Sequence, residues 1–123
     1  MTGVLAWIGV GAFGALGAYA RFRVSETVGA RRPGAFPLAT FVVNLSGGFA
    51  IGLLIGLDAH GDALLVLGTG FLGAYTTFST WMVEAQRLGE DGERATMWLY
   101  LLGSMVAGLA TTGIGWLIGE AIR

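Results

Sequence analysis

Four apolar blocks, each about as long as a bilayer is thick, run through a chain of only 123 residues, and most of the charges sit at their ends or between them. The blocks cover about residues 5–25, 37–57, 63–88 and 95–118. A helix needs roughly 20 apolar residues to cross hydrocarbon. Inside hydrocarbon every backbone amide must find a partner within the protein, which leaves helices as the expected form for blocks of this length. The expected fold is therefore all-α and polytopic, four transmembrane helices in a single domain over residues 1–123. Composition points the same way. Hydrophobic residues make up 54% of the chain and charged residues 12%, against about 25% charged in a soluble domain. A soluble domain this small has too little interior to hide so much apolar surface. Residues 1–20 carry no basic stretch at their start, so the first block is read as a membrane helix and not as a cleaved signal.

Several function classes fall away. The chain has no cysteine, which removes disulfides, thiolate chemistry and cysteine-based metal sites. It has no lysine and a net charge of -1, which gives no footprint for nucleic acid. His60 lies between Asp58 and Asp62 in a short loop; three such residues without further ligands read as a solvated turn. There is no nucleophile–base pair, ligand cluster or phosphate-binding glycine loop, so neither an enzyme nor an organic cofactor is expected. A proton-coupled cation transporter needs an intramembrane acid. The first, second and fourth blocks have none in their interior.

The third block is unlike the others. Its centre reads Gly68-Thr69-Gly70-Phe71-Leu72-Gly73-Ala74-Tyr75-Thr76-Thr77-Phe78-Ser79-Thr80-Trp81. Glycine and β-branched threonine both weaken helix preference, glycine by about 1 kcal/mol relative to alanine. Packed together they predict a helix interrupted at mid-depth. Such breaks expose carbonyls and amides that hold ions, and they must face protein or water. Gly73 and Thr76 are candidate carbonyl donors to a hard cation such as sodium.

Other polar residues are few. Asn44 is the one strongly polar residue of the second block, readable as an interhelical hydrogen bond or as a pore-lining amide donor. Phe78 and Trp81 are three apart and share a face if the helix has resumed. They read as packing or lipid contact, or as a lining of electropositive ring edges, with the Ser79 and Thr80 hydroxyls beside it. Tyr100 and Ser104 share a face of the fourth block; one arrangement joins them to Ser79 and Thr80 as a polar strip. Arg21 either snorkels or turns inward to an anion or carboxylate. Glu84 marks a hydrated vestibule or the headgroup region. Gly48, Gly52 and Gly56 form a small-residue stripe suited to close helix packing. Amide, hydroxyl, aromatic edge and one deep arginine suit a small anion better than a cation. Four spans are few for a polar-walled pore, and a dimer would bury two interrupted helices against each other.

Four spans put both termini on one side. Arg123 is alone there, against Arg21, Arg23, Arg31, Arg32, Arg87 and Arg94 opposite, 6 against 1. The positive-inside rule then places both termini outside.

These residues resemble the Fluc (CrcB) family of bacterial and archaeal fluoride channels. The resemblance rests on Gly70 to Trp81, on Gly14-Ala15-Leu16-Gly17-Ala18-Tyr19-Ala20-Arg21, and on Pro37-Leu38-Ala39-Thr40-Phe41-Val42-Val43-Asn44, in that family's order along essentially the whole chain. It implies an antiparallel, dual-topology homodimer in the plasma membrane that passively exports cytoplasmic fluoride and so protects against its toxicity. It implies a structural Na+ at the dimer interface, held by the Gly73 and Thr76 carbonyls. It carries the fluoride pathway onto Asn44, Phe78, Trp81, Ser79, Thr80, Tyr100 and Ser104, with Arg21 and Glu84 beside it. The sequence departs from the family pattern in three ways. Trp81 stands where a second pore phenylalanine is usual, Gly108 lacks a hydroxyl that often extends the polar track, and the arginine bias is strong for a chain meant to insert both ways. The alternatives are a non-conducting or partner subunit of a heterodimeric channel, paired with a homologous chain of opposite orientation, and a small four-helix multidrug exporter. The exporter would need a membrane glutamate in the first span, where only Glu26 at its end is available.

Overall fold

The computed structural model describes residues 3–123, and the reading of the chain's start lies partly outside them. Four apolar segments long enough to cross a membrane are present among the described residues: Val4–Val28, Leu38–Gly56, Gly61–Glu90 and Arg94–Ile122. The first is helix α1 (Val4–Val28) and the second is α2 (Leu38–Gly56). The third is composite: a turn of helix α3 (Gly61–Ala63), a π-helical stretch Leu64–Leu72, a turn α4 (Gly73–Tyr75), and, after residues 76–78, helix α5 (Ser79–Glu90). The fourth is α6 (Arg94–Ile122). The third helix is thus interrupted.

Local chemistry sets the ends. α1 runs on past Arg21 and Arg23 because nothing breaks it before Gly29, whose φ of 116° only glycine adopts readily. Pro37 stands just before α2, and its carbonyl accepts the Phe41 N–H at 3.2 Å. A proline is tolerated there because the first turn of a helix needs no donor from it.

Small residues decide the packing. α2 lies against α6 along Gly52 and Gly56 on one side and Gly115 and Gly119 on the other. A Cβ at Gly52 would run into the Thr112 carbonyl, one at Gly56 into the Trp116 carbonyl, and one at Gly115 into the Phe49 carbonyl. The two backbones touch, as small-residue faces in membranes allow. α1 meets the π-helical stretch in the same way: Gly17 sits on the Phe71 carbonyl and Gly70 on Val10, where a Cβ would lie 3.1 Å from Val10 Cα. The first half of the third span packs on α1 and the second half on α6. The break at 76–78 is the point where the chain changes partner.

Two small cores flank that break. Val43, Leu72 and Tyr75 form one, and Ala85, Leu88 and Tyr100 the other. Outside them the pattern is that of a membrane protein: large apolar side chains such as Leu5, Ile8, Phe22 and Leu109 point outward. Trp98 and Trp116 also point outward, near opposite ends of α6. Two ion pairs mark the ends of the bundle. Arg31 meets Asp91 at 3.7 Å on one side, and the C-terminal Arg123 meets Asp58 at 3.8 Å on the other. The arginine tally by side therefore follows the observed connectivity.

Candidate ion pathway

The site is built around the break. Thr76 leaves the helix with φ -81° and ψ 160°. The next amide, Thr77 N–H, donates to Asn44 Oδ1 at 2.9 Å instead of returning to the Gly73 carbonyl one turn back. Asn44 Nδ2 in turn donates to the Thr77 carbonyl, also at 2.9 Å. One side-chain amide thus satisfies both polar groups of one residue of broken backbone. Each bond contributes about 0.5–1.5 kcal/mol net, and losing either leaves a polar group stranded. Asn44 therefore makes an interhelical bond and, on the same atoms, fixes the shape of the break.

The helix restarts under local control. The Thr77 hydroxyl accepts from Thr80 N–H at 3.3 Å and donates to the Thr80 hydroxyl at 3.1 Å. Hydroxyls in such positions satisfy amides that a new helix leaves unpaired. Below the break, Tyr75 and Ser46 share a hydrogen bond of 2.8 Å between their hydroxyls. Thr76 Oγ1 donates back to the Leu72 carbonyl at 3.0 Å.

The break opens onto a groove of about 380 Å³ between α2 and the third span, bordered by Asn44, Gly47, Gly48, Gly73, Thr76, Phe78 and Trp81. Gly73 faces outward there. Its carbonyl has lost the Thr77 N–H as helical donor, and the extended ψ of Thr76 turns that residue's carbonyl off the helix axis. Carbonyls released from a helix in this way suit a hard cation, which takes oxygen ligands. Both residues therefore fit a sodium ion held by backbone oxygen.

Phe78 and Trp81 meet edge to face, with ring centroids 5.7 Å apart and planes at 81°. Phe78 remains 69% exposed. On its other side Trp81 borders a cavity of about 320 Å³ shared with Asn44, Ser104, Gly108 and Thr112. Ser79 and Thr80 open instead into a separate cavity with Arg31, Glu84 and Arg87. Arg21 is half-buried and borders a third hollow with Thr40, Thr77 and Thr80, so it turns towards the break. Arg23 is exposed, its guanidinium 5.9 Å from the centre of the Tyr19 ring.

Tyr100 does not lie on an open strip. It is completely buried, edge to face with Phe36 at 5.3 Å, and its hydroxyl donates to Glu84 Oε1 at 3.1 Å. Glu84 is itself only 8% exposed and borders a hollow shared with Arg31. The structure thus brings Asn44, Trp81 and Ser104 together, and separately Ser79, Thr80 and Glu84, with Tyr100 behind Glu84. Two residues central to this geometry escape a reading of composition. Thr77 is recognisable only as a hydroxyl residue just before a helix restart. Arg31 borders two hollows together with Glu84, and its Nε and Nη2 are buried without hydrogen-bond partners, Nη2 facing Asp91 at 3.7 Å; in sequence it is one of several loop arginines.

Four apolar spans with a broken third helix, and amide and hydroxyl groups lining the hollows around the break, define a small multi-pass membrane protein. The family model described as "CrcB-like protein, Camphor Resistance (CrcB)" matches residues 8–116, and the chain belongs to that family. It is 45% identical over 117 residues to "Fluoride-specific ion channel FluC 2" of Mycobacterium tuberculosis (strain ATCC 25618 / H37Rv), covering 95% of this chain and 93% of the relative. It is 46% identical over 121 residues to the protein of the same name from Moorella thermoacetica, covering 96% and 99%. It is 41% identical over 121 residues to "Fluoride-specific ion channel FluC" of Acidobacterium capsulatum, covering 94% and 95%.

Proposed function

We propose that this protein is a fluoride-selective channel of the plasma membrane that lets cytoplasmic fluoride leave down its gradient. The observation that carries the reading is the helix break pinned by Asn44, in a chain whose relatives bear the name of fluoride channels along nearly their whole length. Fluoride is small and accepts short hydrogen bonds. Amide and hydroxyl donors replace part of its water shell without needing a battery of positive charge. Each donor must hold the ion well enough to admit it and loosely enough to release it.

The pathway runs from the hollow at Arg31 and Glu84 past Ser79 and Thr80 towards the break. Asn44, Phe78, Trp81 and Ser104 line its deeper part, Tyr100 orients Glu84, and Arg21 adds positive potential beside Thr77. The working unit is an antiparallel dimer, because Phe78 and Gly73 lie exposed at membrane depth, where a broken backbone needs protein against it. Sodium bound by the Gly73 and Thr76 carbonyls supplies positive charge that ties two such breaks together. The second member of the pair is another copy of this chain or a homologous chain of opposite orientation. The 6 to 1 arginine bias favours the homologous chain.

The test is efflux from liposomes that contain only this purified chain, loaded in parallel with fluoride or chloride. Rapid fluoride efflux without chloride efflux is expected. No efflux of either ion from folded protein overturns the self-sufficient channel and leaves the partner-subunit reading, which efflux regained with an oppositely oriented homologue then confirms.

A further inference from the structure

We propose that the hollow beside the α1–α2 loop is a lipid site, and that it takes the phosphoethanolamine headgroup of a phospholipid in the leaflet at the arginine-rich end. The proposal concerns the lipid around the protein and stands whether or not the chain conducts fluoride. The hollow measures about 400 Å³ and lies between the end of α1, the start of α2 and Glu84 of α5. It is separate from the cavity that holds Ser79 and Thr80, which shares only Arg31 and Glu84 with it. The loop along it has a defined shape. Gly29 and Gly34 take φ of 116° and 76°, and Ala35 N–H donates to the Arg32 carbonyl at 3.1 Å. Three charged side chains border the hollow: Arg31, Arg32 and Glu84. The Arg31 guanidinium is poorly satisfied. Its Nε and Nη2 are buried without hydrogen-bond partners, and Asp91 Oδ2, 3.7 Å from Nη2, is too far to accept from it. Buried polar atoms are nearly always satisfied, so each exception needs an explanation.

Charge and donor count select the ligand. Two guanidinium groups against one carboxylate favour an anion, and the planar fork of arginine fits a phosphate through two parallel hydrogen bonds. Glu84 works against a simple anion. Its carboxylate is buried, and Tyr100 donates to Oε1 at 3.1 Å, which leaves Oε2 to a second donor. A ligand with a phosphate at one end and a primary ammonium at the other answers both demands. The phosphate pairs with Arg31 and Arg32, and the ammonium, which carries three hydrogens and only donates, pairs with Glu84. A choline headgroup has no N–H to give, and a glycerol headgroup brings no positive charge. The setting makes the ligand a lipid. The hollow lies where the first apolar span ends and the second begins, and Leu38 on its border is 53% exposed. Basic pockets at the cytoplasmic ends of membrane spans hold lipid headgroups, and the positive-inside rule puts this end in the cytoplasm.

The experiment is native mass spectrometry of the full chain released from detergent with three phospholipids of identical acyl chains, carrying ethanolamine, choline or glycerol headgroups. The expected result is retention of the ethanolamine lipid at least fivefold over each of the others. Arg31→Gln and Arg32→Gln are each expected to cut that retention at least threefold. Arg94→Gln, an exposed arginine at the same end but outside the hollow, is expected to leave it unchanged. Glu84→Gln is expected to move the preference from the ethanolamine to the glycerol lipid, an exchange that a merely structural role would not produce. Size-exclusion profiles show which variants fold. Arg32 is exposed, so Arg32→Gln and the lipid ranking of the unaltered chain decide the matter if the variants at Arg31 and Glu84 do not fold. Equal retention of the three lipids, strongest retention of the glycerol lipid by the unaltered chain, or equal loss in Arg32→Gln and Arg94→Gln overturns the proposal. So does displacement of the ethanolamine lipid by an equal concentration of soluble phosphoethanolamine, which would mark the hollow as a site for a free phosphate ester.

Discussion

Asn44 shows how much one side chain can decide. Its amide donates to and accepts from the same residue of the break, Thr77, at 2.9 Å each way. Asn44→Ala strands an N–H and a C=O together, each at about 1–3 kcal/mol. We expect this variant to lose several degrees in thermal unfolding in detergent and to abolish fluoride efflux. Asn44→Asp keeps an acceptor for the Thr77 N–H but sets a carboxylate oxygen against the Thr77 carbonyl, so it too should lose stability and conduct poorly. A stability unchanged in Asn44→Ala would show that the break is held by something else. Tyr100 makes a second case. Its hydroxyl is a donor to the buried Glu84, and Tyr100→Phe should cost about 1–2 kcal/mol, read as a lower midpoint in the same unfolding assay. The residue types at both positions were visible in the sequence, but their partners were not. Asn44 and Thr77 are 33 residues apart, and Glu84 and Tyr100 are 16 apart. No local pattern states which buried polar atom will face which. Helix-face alignment suggests a strip joining Tyr100 to Ser79 and Thr80; what it does not reveal is that Tyr100 packs on Phe36 and bonds to Glu84, which borders one hollow with Ser79 and Thr80.

At the scale of elements, helix existence was legible and helix irregularity only partly so. Hydrocarbon demands paired backbone, so a long apolar block declares its helix. The cluster of glycine and threonine from Gly68 to Thr80 bracketed the interruption, but its placement at 76–78 depends on Asn44 from another helix. The π-helical stretch Leu64–Leu72 has no compositional signature, because its wider turn is chosen by packing on α1 at Gly17 and Gly70. The glycine stripe of α2 was legible as a packing face, while its match to Gly115 and Gly119 on α6 required the fold. That contact makes a sharp prediction. A Cβ at Gly52 would run into the Thr112 carbonyl, whereas one at Gly113, on the same α6, would meet nothing within 4 Å. Overpacking at a close contact costs about 1–3 kcal/mol. Gly52→Ala should therefore lower resistance to unfolding in detergent and Gly113→Ala should not. Equal effects would mean that helix propensity, and not backbone contact, governs these glycines.

For the whole molecule the open matter is which way it sits, and charge gives the expectation. The ion pairs Arg31–Asp91 and Asp58–Arg123 lie at opposite ends of the bundle, so the loops group as the count of 6 against 1 requires. The exposed Asp58–Arg123 pair adds little stability. The unequal distribution of arginine acts earlier, when the spans insert, and by the positive-inside rule should hold the arginine-rich end in the cytoplasm. A single orientation has a consequence for assembly. Chains dissolved in detergent are free to pair head to tail, so liposomes made from them can contain antiparallel dimers of one chain. Chains inserted in a cell keep the orientation they were given, and an antiparallel pair then needs a partner that inserts the other way. Because the chain lacks cysteine, single reporters can be placed at will: Glu26→Cys at the end of α1 on the arginine-rich side, and Asp62→Cys in the exposed turn α3 on the other. With an impermeant thiol reagent on intact cells, we expect Asp62→Cys to be labelled at least tenfold more than Glu26→Cys. We also expect this chain alone to protect cells from fluoride weakly, and a homologous chain of reversed bias to restore protection. Equal labelling of the two positions would show insertion both ways, and the second member of the pair would then be another copy of this chain.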